Sequence, residues 1–285
     1  MDFIENLSPK DTPFFNSLGS VKVSAGFVQY LEDTLPSATI NSWVEGAAAT
    51  DVTLTTPSRN TSIVQNFQKH FMVSGRQLAV THAGLANMLS YQEMKNALVL
   101  KREIELALHR GSAVSGTASV APQFNGLLNL GSANQTSISG ITLTETIFNN
   151  VLQLTYANPI NVREVYANVK LKRTINRFST SVQRFLPAGD RRQLDLVDVY
   201  ESEFGTMSII KSRDQLDPAT NSTPGASFVA LDPDYFQLGW LRPIQTLVIG
   251  RTGDREQRQM VGELTLIARS TRALAAGTDL VPNIA

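Results

Sequence analysis

The sequence predicts an α+β fold in which strands and helices are interspersed. Three observations carry that expectation. Residues 83–110 contain no proline and repeat their apolar side chains every three or four positions, the spacing of a helix. Two strand-like runs, 21–35 and 62–73, flank a segment crowded with Ser, Thr and Ala. Late in the chain, 236–249 and 258–272 read as long strands joined by a connection carrying Arg251, Arg255 and Arg258.

The elements follow in order. Thr12 can cap a short helix with Pro13 at its first position, and Gly19 can end it. Phe14, Phe15 and Leu18 give that helix one apolar side. Residues 1–20 are too few to fold alone and read as an arm with a small anchor. Between the two strand-like runs, Leu35 to Thr61 carries only Glu45, Asp51 and Arg59 as charges, with Trp43 and Val44 as its main apolar side chains. A structureless loop of this length is uncommon in a compact domain. The segment reads either as a disordered insertion or as a long two-stranded arm that lies on something else. The strand-like flanks favour the arm. An isolated hairpin is only marginally stable in water, so such an arm needs a neighbour.

The stretch 83–110 is the clearest helix, with Gly111 placed to end it. Leu85, Met88, Leu89, Met94, Ala97, Leu98, Ile104, Ala107 and Leu108 form its expected core face. Lys95, Lys101, Arg102, Glu103 and Glu105 mark the wetter faces, so an aspartate at Leu98 is expected to abolish folding. At ~1.5 Å per residue it would span roughly 42 Å, a beam about as long as the fold is wide.

Residues 111–140 are rich in Ser, Thr, Gly and Asn and read as a surface loop. Thr142 and Glu145 have capping-box spacing ahead of a helix on Ile147, Phe148, Val151, Leu152 and Thr155, which stops at Asn158-Pro159. Val165, Ala167, Val169 and Leu171 alternate as a strand does, and Ile175, Phe178 and Val182 return to helical spacing. Two strands are expected around Gly205, a loop over 211–226, and a helix start at Asp232-Pro233.

Composition removes whole classes of function. Lys plus Arg is 25 and Asp plus Glu is 25, so the net charge is zero, which excludes a strongly basic nucleic-acid condenser. Charged residues make up 18% of the chain, against about 25% in an average protein, as expected of a surface hidden against partners. With no cysteine there is no disulfide framework and no thiolate chemistry. The opening residues lack a basic and then apolar run, so no signal peptide is expected, and no stretch is long and apolar enough to span a membrane. Phosphate-loop, dinucleotide, nucleophile-elbow and zinc-helix motifs are all missing, and no cofactor is expected. His70, His82 and His109 read as locally bonded side chains, the last of them favourable at a helix C-terminus. Asp232 and Asp234 read as a helix cap, and Arg251, Asp254, Arg255, Glu256 and Arg258 as a charged turn or an intersubunit charge pair.

The order of parts, together with specific stretches, resembles the Hong Kong 97 capsid fold of tailed-phage major capsid proteins. The stretches are Asn6 to Phe14, Val73-Ser74-Gly75, Tyr91-Gln92, Leu100 to Glu105, Glu201 to Gly205, Leu231 to Tyr235, Leu241-Arg242-Pro243 and Thr252-Gly253-Asp254. The resemblance implies an N-terminal arm at 1–20, an extended β-hairpin loop at 21–80 that overlaps a neighbouring subunit, and a peripheral domain with a spine helix at 81–140. It further implies an axial domain at 141–244 and return strands of the peripheral domain at 245–285. Its implied partners are copies of itself as pentamers and hexamers, a portal, a possible cement or scaffolding protein, and packaged double-stranded DNA bound without sequence specificity. The implied location is the virion, with assembly in the host bacterial cytoplasm.

On this reading Phe14, Phe15, Trp43, Val44, Arg59, Arg251, Asp254 and Arg255 are the candidate interface residues, and Leu85, Leu89, Met94, Leu98, Ile104 and Leu108 form the core of the spine helix. In the best-known member of the fold a lysine on the extended loop forms an isopeptide bond with a neighbour. Here 36–58 contains no lysine, and the only lysines between 21 and 80 are Lys22 and Lys69, so no covalent cross-link is expected. Two alternatives stay open at this stage: an encapsulin-like shell around a cargo protein, and a hydrolase built on Asp232 and Asp234.

Overall fold

The computed structural model describes residues 11–35, 38–48, 56–80, 87–138, 140–156, 160–178, 199–216, 225–251 and 253–282, without the side chains of 132 and 133. The described residues form three sheets and six α-helices. The anchor helix α1 is Pro13–Ser17 and the spine helix α3 is Met88–Arg110, with a short α2 at Gly75–Ala79 between them in sequence. Strands β1 (Gly19–Lys22), β10 (Phe236–Ile249), β11 (Arg255–Ala268) and β4 (Gln65–Ser74) make a four-stranded sheet in the order β1-β10-β11-β4. Strands β5 (Gln135–Ser137), β12 (Leu274–Leu280), β9 (Ala226–Leu231), β6 (Glu164–Ala167), β8 (Gly205–Lys211) and β7 (Val199–Ser202) make a six-stranded one in that order. Strands β2 (Phe27–Glu32) and β3 (Ser58–Ile63) pair only with each other.

The six-stranded sheet is covered on both faces, and side-chain alternation assigns each residue to one face. Val165, Ala167, Phe228, Ala230 and Ala275 enter a core with Phe148, Val151 and Leu152 of α5 (Glu145–Tyr156) and Leu171 and Ile175 of α6 (Val169–Asn176). Tyr166, Val229, Leu231, Leu274 and Ala276 enter the other core, with α1, α3 and the four-stranded sheet. A strand buried on both sides reads as a continuous apolar run, and all six residues of β9 are buried.

The spine helix is shorter than expected. Asn87 caps it, its Oδ1 accepting from the Leu89 and Ser90 N–H groups at 2.9 and 3.3 Å. Leu85 lies outside the described residues, as does His82. At the other end the Gly111 N–H donates to Ala107 O at 2.7 Å. A side chain at Gly111 would put its Cβ 2.6 Å from Ala107 O and 2.7 Å from Phe124 O, so the chain at 124–126 passes too close for any other residue.

The periodicity of the helix matches the sequence expectation, and its phase does not. Leu89, Leu100, Ile104 and Leu108 are buried, but Met94 is 60% exposed and Leu98 only half-buried. Met94, Leu98 and Leu106 form a second apolar stripe, centred about 130° around the helix from Leu100, Ile104 and Leu108. Glu105, expected on a wetter face, is fully buried.

Other expectations need correcting. Residues 111–140 are not simply a surface loop: Phe124 and Leu127 are fully buried, Leu127–Leu130 is a helical turn (α4), and β5 pairs in parallel with β12. Val169 and Leu171 lie in α6 rather than a strand, because the Asn168 side chain accepts from Leu171 N at 2.7 Å and starts the helix there. Thr144, not Thr142, bonds the first turn of α5, through Ile147 N at 3.4 Å. Pro233–Tyr235 is a single 3-10 turn capped by Asp232. The boundary expected at 244–245 falls inside β10, and β12 joins the six-stranded sheet, so residues after 245 serve both sheets.

Candidate assembly surfaces

The arm starts where β2 and β3 leave the body. Their antiparallel register runs from Phe27↔Ile63 to Glu32↔Ser58. Glu32 fixes the direction of departure. Its Oε1 accepts from Ser270 Oγ at 2.6 Å, and its Oε2 accepts from Asn60 Nδ2 at 2.8 Å and Thr271 Oγ1 at 3.4 Å. One carboxylate thus ties both arm strands to the turn between β11 and β12. Beyond it every described residue from Asp33 to Pro57 is exposed. Leu35 is 95%, Ile40 98%, Trp43 60% and Val44 81% exposed. Arg59 is exposed on β3.

The N-terminal anchor differs from expectation. Phe14 is fully buried within the chain, between His109 and Tyr166 with ring centroids at 5.6 and 5.2 Å. It is therefore a core residue, not an interface one. Phe15 is half-buried, edge-on to Trp240 at 6.5 Å and under Lys101 Nζ at 5.1 Å. Thr12 does not cap α1, and its buried hydroxyl has no partner. Glu105 caps it instead from the spine helix, accepting from Phe14 N at 3.0 Å and Phe15 N at 2.7 Å. No local sequence signal pairs residues 90 positions apart, so this contact was not legible beforehand.

At the β10–β11 turn, Arg251 and Asp254 are exposed and Arg255 is half-buried. Arg251 stands 4.0 Å from Glu256, and Arg258 bonds Glu93 of the spine helix at 2.6 Å. The Asp254 carbonyl accepts from Gly75 N at 3.0 Å, which pins the turn to α2.

Among the described residues, the two carboxylates weighed as a hydrolase site are already engaged. Arg163 places its guanidinium on Asp232 at 2.5 Å and also pairs with Asp234, and those two carboxylates hold its pKa above the usual value. A carboxylate pair committed to one arginine is a structural bridge, not an acid–base couple. Ser212, His109 and Glu105 lie together, but Ser212 and Glu105 both face His109 Nε2, whereas a proton relay puts them on opposite ring nitrogens. That ring is also fully buried. His70 lies 3.4 Å from Gln257. Among the described residues no group of three potential metal ligands forms, and no helix is long and apolar enough to cross a membrane.

Comparison with known proteins places this architecture. The profile of the SU10 major capsid protein family matches residues 1–281. The major capsid protein of Escherichia phage Phieco32 is 29% identical over 113 residues, which is 39% of this chain and 32% of that protein, so the match spans about a third of the relative's length. Among solved structures, the capsid of a native GTA particle superposes with a TM-score of 0.68 at 14% identity, covering 98% of this chain and 93% of that one. The capsid of Myoviridae phage XM1 gives 0.66 at 14% identity, covering 97% and 94%. The SrpI encapsulin of Synechococcus elongatus PCC 7942 gives 0.62 at 11% identity, covering 95% and 89%. Likeness at such identities establishes the fold, which is the Hong Kong 97-type capsid fold. With a family profile spanning all but the last residues of the chain, the conclusion is direct: the chain belongs to the SU10 major capsid protein family.

Proposed function

We propose that this chain is the shell-forming subunit of a tailed-phage head and has no catalytic role. Family membership supplies the context, and the arm carries the argument: Leu35, Ile40, Trp43 and Val44 are exposed to water. Exposed apolar side chains beyond a short two-stranded ribbon, whose pairing ends at Glu32 and Ser58, mark an interaction surface. In this reading the arm of one copy lies on the next copy. Residues 1–20 are the N-terminal arm, and within 21–80 the part between β1 and β4 is the extended loop. The four-stranded sheet with the spine helix is the peripheral domain, and the six-stranded sheet is the axial domain that gathers copies into pentamers and hexamers. A portal, a scaffolding or cement protein, and packaged double-stranded DNA complete the set of partners, with assembly in the bacterial cytoplasm. Zero net charge suits a wall against which DNA is packed rather than condensed.

Electron microscopy of the purified protein tests the proposal. Capsomers or closed shells are expected. A folded monomer that never assembles, even with its phage partners present, overturns it. An encapsulin-like shell is the second reading, favoured by the SrpI likeness; particles holding cargo protein in place of DNA would establish it. Boiled particles should run as monomers on a denaturing gel. Lys22 is engaged in β1 beside β10, and Lys69 pairs with Glu103, so neither amine is on the arm's exposed part.

A further inference from the structure

The N-terminal anchor and the turn at 212–216 are joined by an unbroken series of buried polar groups. α1 has five residues, too few to hold a helix in water without support. Its Phe14 and Phe15 N–H groups donate to the two oxygens of Glu105. One turn further along the spine helix, His109 Nε2 lies 3.3 Å from Glu105 Oε1 and 3.1 Å from Ser212 Oγ. The other ring nitrogen, Nδ1, is 3.0 Å from Gln215 Nε2.

The far end of the series settles the direction of each bond. Ser227 on β9 donates its hydroxyl to Gln215 Oε1 at 2.9 Å, and its Oγ accepts from Leu216 N at 3.0 Å. With Oε1 taken, the Gln215 amide presents Nε2 to the imidazole. Nδ1 is then an acceptor, and the ring proton sits on Nε2, aimed at Glu105 and Ser212. Glu105, His109, Gln215 and Ser227 are fully buried, so none can exchange a lost partner for water.

We propose that Glu105, His109 and Gln215 couple the docking of the N-terminal anchor to the ordering of the 212–216 turn, so that displacing either loosens the other. When α1 leaves, Glu105 loses both N–H donors, and the His109 proton is the one it keeps of the chain contacts described above. The carboxylate then draws Nε2–H away from Ser212, and the ring shifts off Gln215. The turn loses its inner support while Arg110 still holds the Asp214 and Gln215 carbonyls from outside, at 2.5 and 2.6 Å. Binding linkage makes the effect reciprocal. The two-state element is α1 itself, docked or undocked, a local opening of the kind that short segments near a chain end undergo. Glu105 and His109 are positioning residues here.

Hydrogen exchange of the full-length protein, resolved at single amides, tests the coupling from both ends. Ser227→Ala removes the distant end without touching α1. Exchange of the Phe14 and Phe15 amides is expected to accelerate about 5-fold or more, the lower end of typical coupling strengths, while amides of α5 hold their rates. Lys101→Ala approaches from the other side, removing the 2.8 Å bond from Lys101 Nζ to Asn16 on α1. It should raise exchange in α1 and, with it, at the Leu216 amide. Unchanged Phe14 and Phe15 amides in folded Ser227→Ala overturn the proposal. So does a Leu216 amide that ignores a loosened α1 in Lys101→Ala, and that variant decides the matter if Ser227→Ala does not fold.

Discussion

Strands β9 and β2 have six residues each, and their surroundings are opposites. β9 reads Ala-Ser-Phe-Val-Ala-Leu and is buried throughout, with helices on one face of its sheet and the spine helix on the other. β2 reads Phe-Val-Gln-Tyr-Leu-Glu and alternates between exposed and half-buried positions, with Phe27 56% and Leu31 65% exposed. Both are β-prone and apolar-rich, so propensity does not separate them. The difference is that β9 finds both its covering layers within its own chain, whereas the open face of the arm finds none among the described residues. A single chain therefore holds two kinds of apolar surface, one that stabilises the fold and one left open to water.

That division can be broken most sharply from the inside. Ile104→Asp places a carboxylate in the fully buried stripe of α3, at a cost of several kcal/mol or a forced neutralisation, and soluble yield should collapse. The same change at Met94, 60% exposed, should leave the melting midpoint nearly unaltered in a thermal scan. If both variants unfold alike, the outer stripe belongs to the core after all.

Phe14→Ala comes next. Emptying a fully buried aromatic site costs about 3–5 kcal/mol. Denaturant unfolding should show the loss, and a value near zero would return Phe14 to the interface.

Asp214 gives a smaller effect with a defined pH dependence. Burial pushes its carboxyl pKa up, with Glu105 adding to the rise and Arg102 and Arg110 opposing it. A carboxyl that holds its proton more tightly folded than unfolded costs stability above its unfolded value of about 4, increasingly until the folded value is passed. Asp214→Asn should thus melt slightly higher at pH 7, with the advantage vanishing below about pH 4. A gain that persists in acid would mean that packing, not ionisation, is responsible.

The smallest effect on folding is expected at the arm. Trp43→Ser should change subunit stability by less than about 0.5 kcal/mol yet lower the yield of closed particles seen by microscopy. Unaltered particle yield would remove Trp43 from the assembly surface.

What could be read in advance follows the same division. The exposure of the described residues between β2 and β3 was legible from composition, because nothing in 35–61 offers a core stripe. The α+β order and the β7–β8 hairpin at Gly205, with its φ of 115°, were legible from local pattern. The phase of the spine helix was not, since hydropathy displays its two apolar stripes alike and only the long sheet chooses between them. Nor was the burial of Glu105, whose compensation arrives from Phe14 and Phe15 far away in sequence. Phe124 and Leu127 escaped notice because two anchors in a stretch of Gly, Ser and Asn have no period.

The arm's composition has a practical consequence. From Val23 to Ser58 the chain has no lysine or arginine, so trypsin meets its first bond there only after Arg59. The part of the chain with the most open side chains is thus silent to the protease most often used to map exposure, and to amine-directed labels as well. A subunit that resists trypsin need not have its arm covered. Chymotrypsin, which cuts after Trp43, reads the arm directly, and protection from it should emerge only as copies come together.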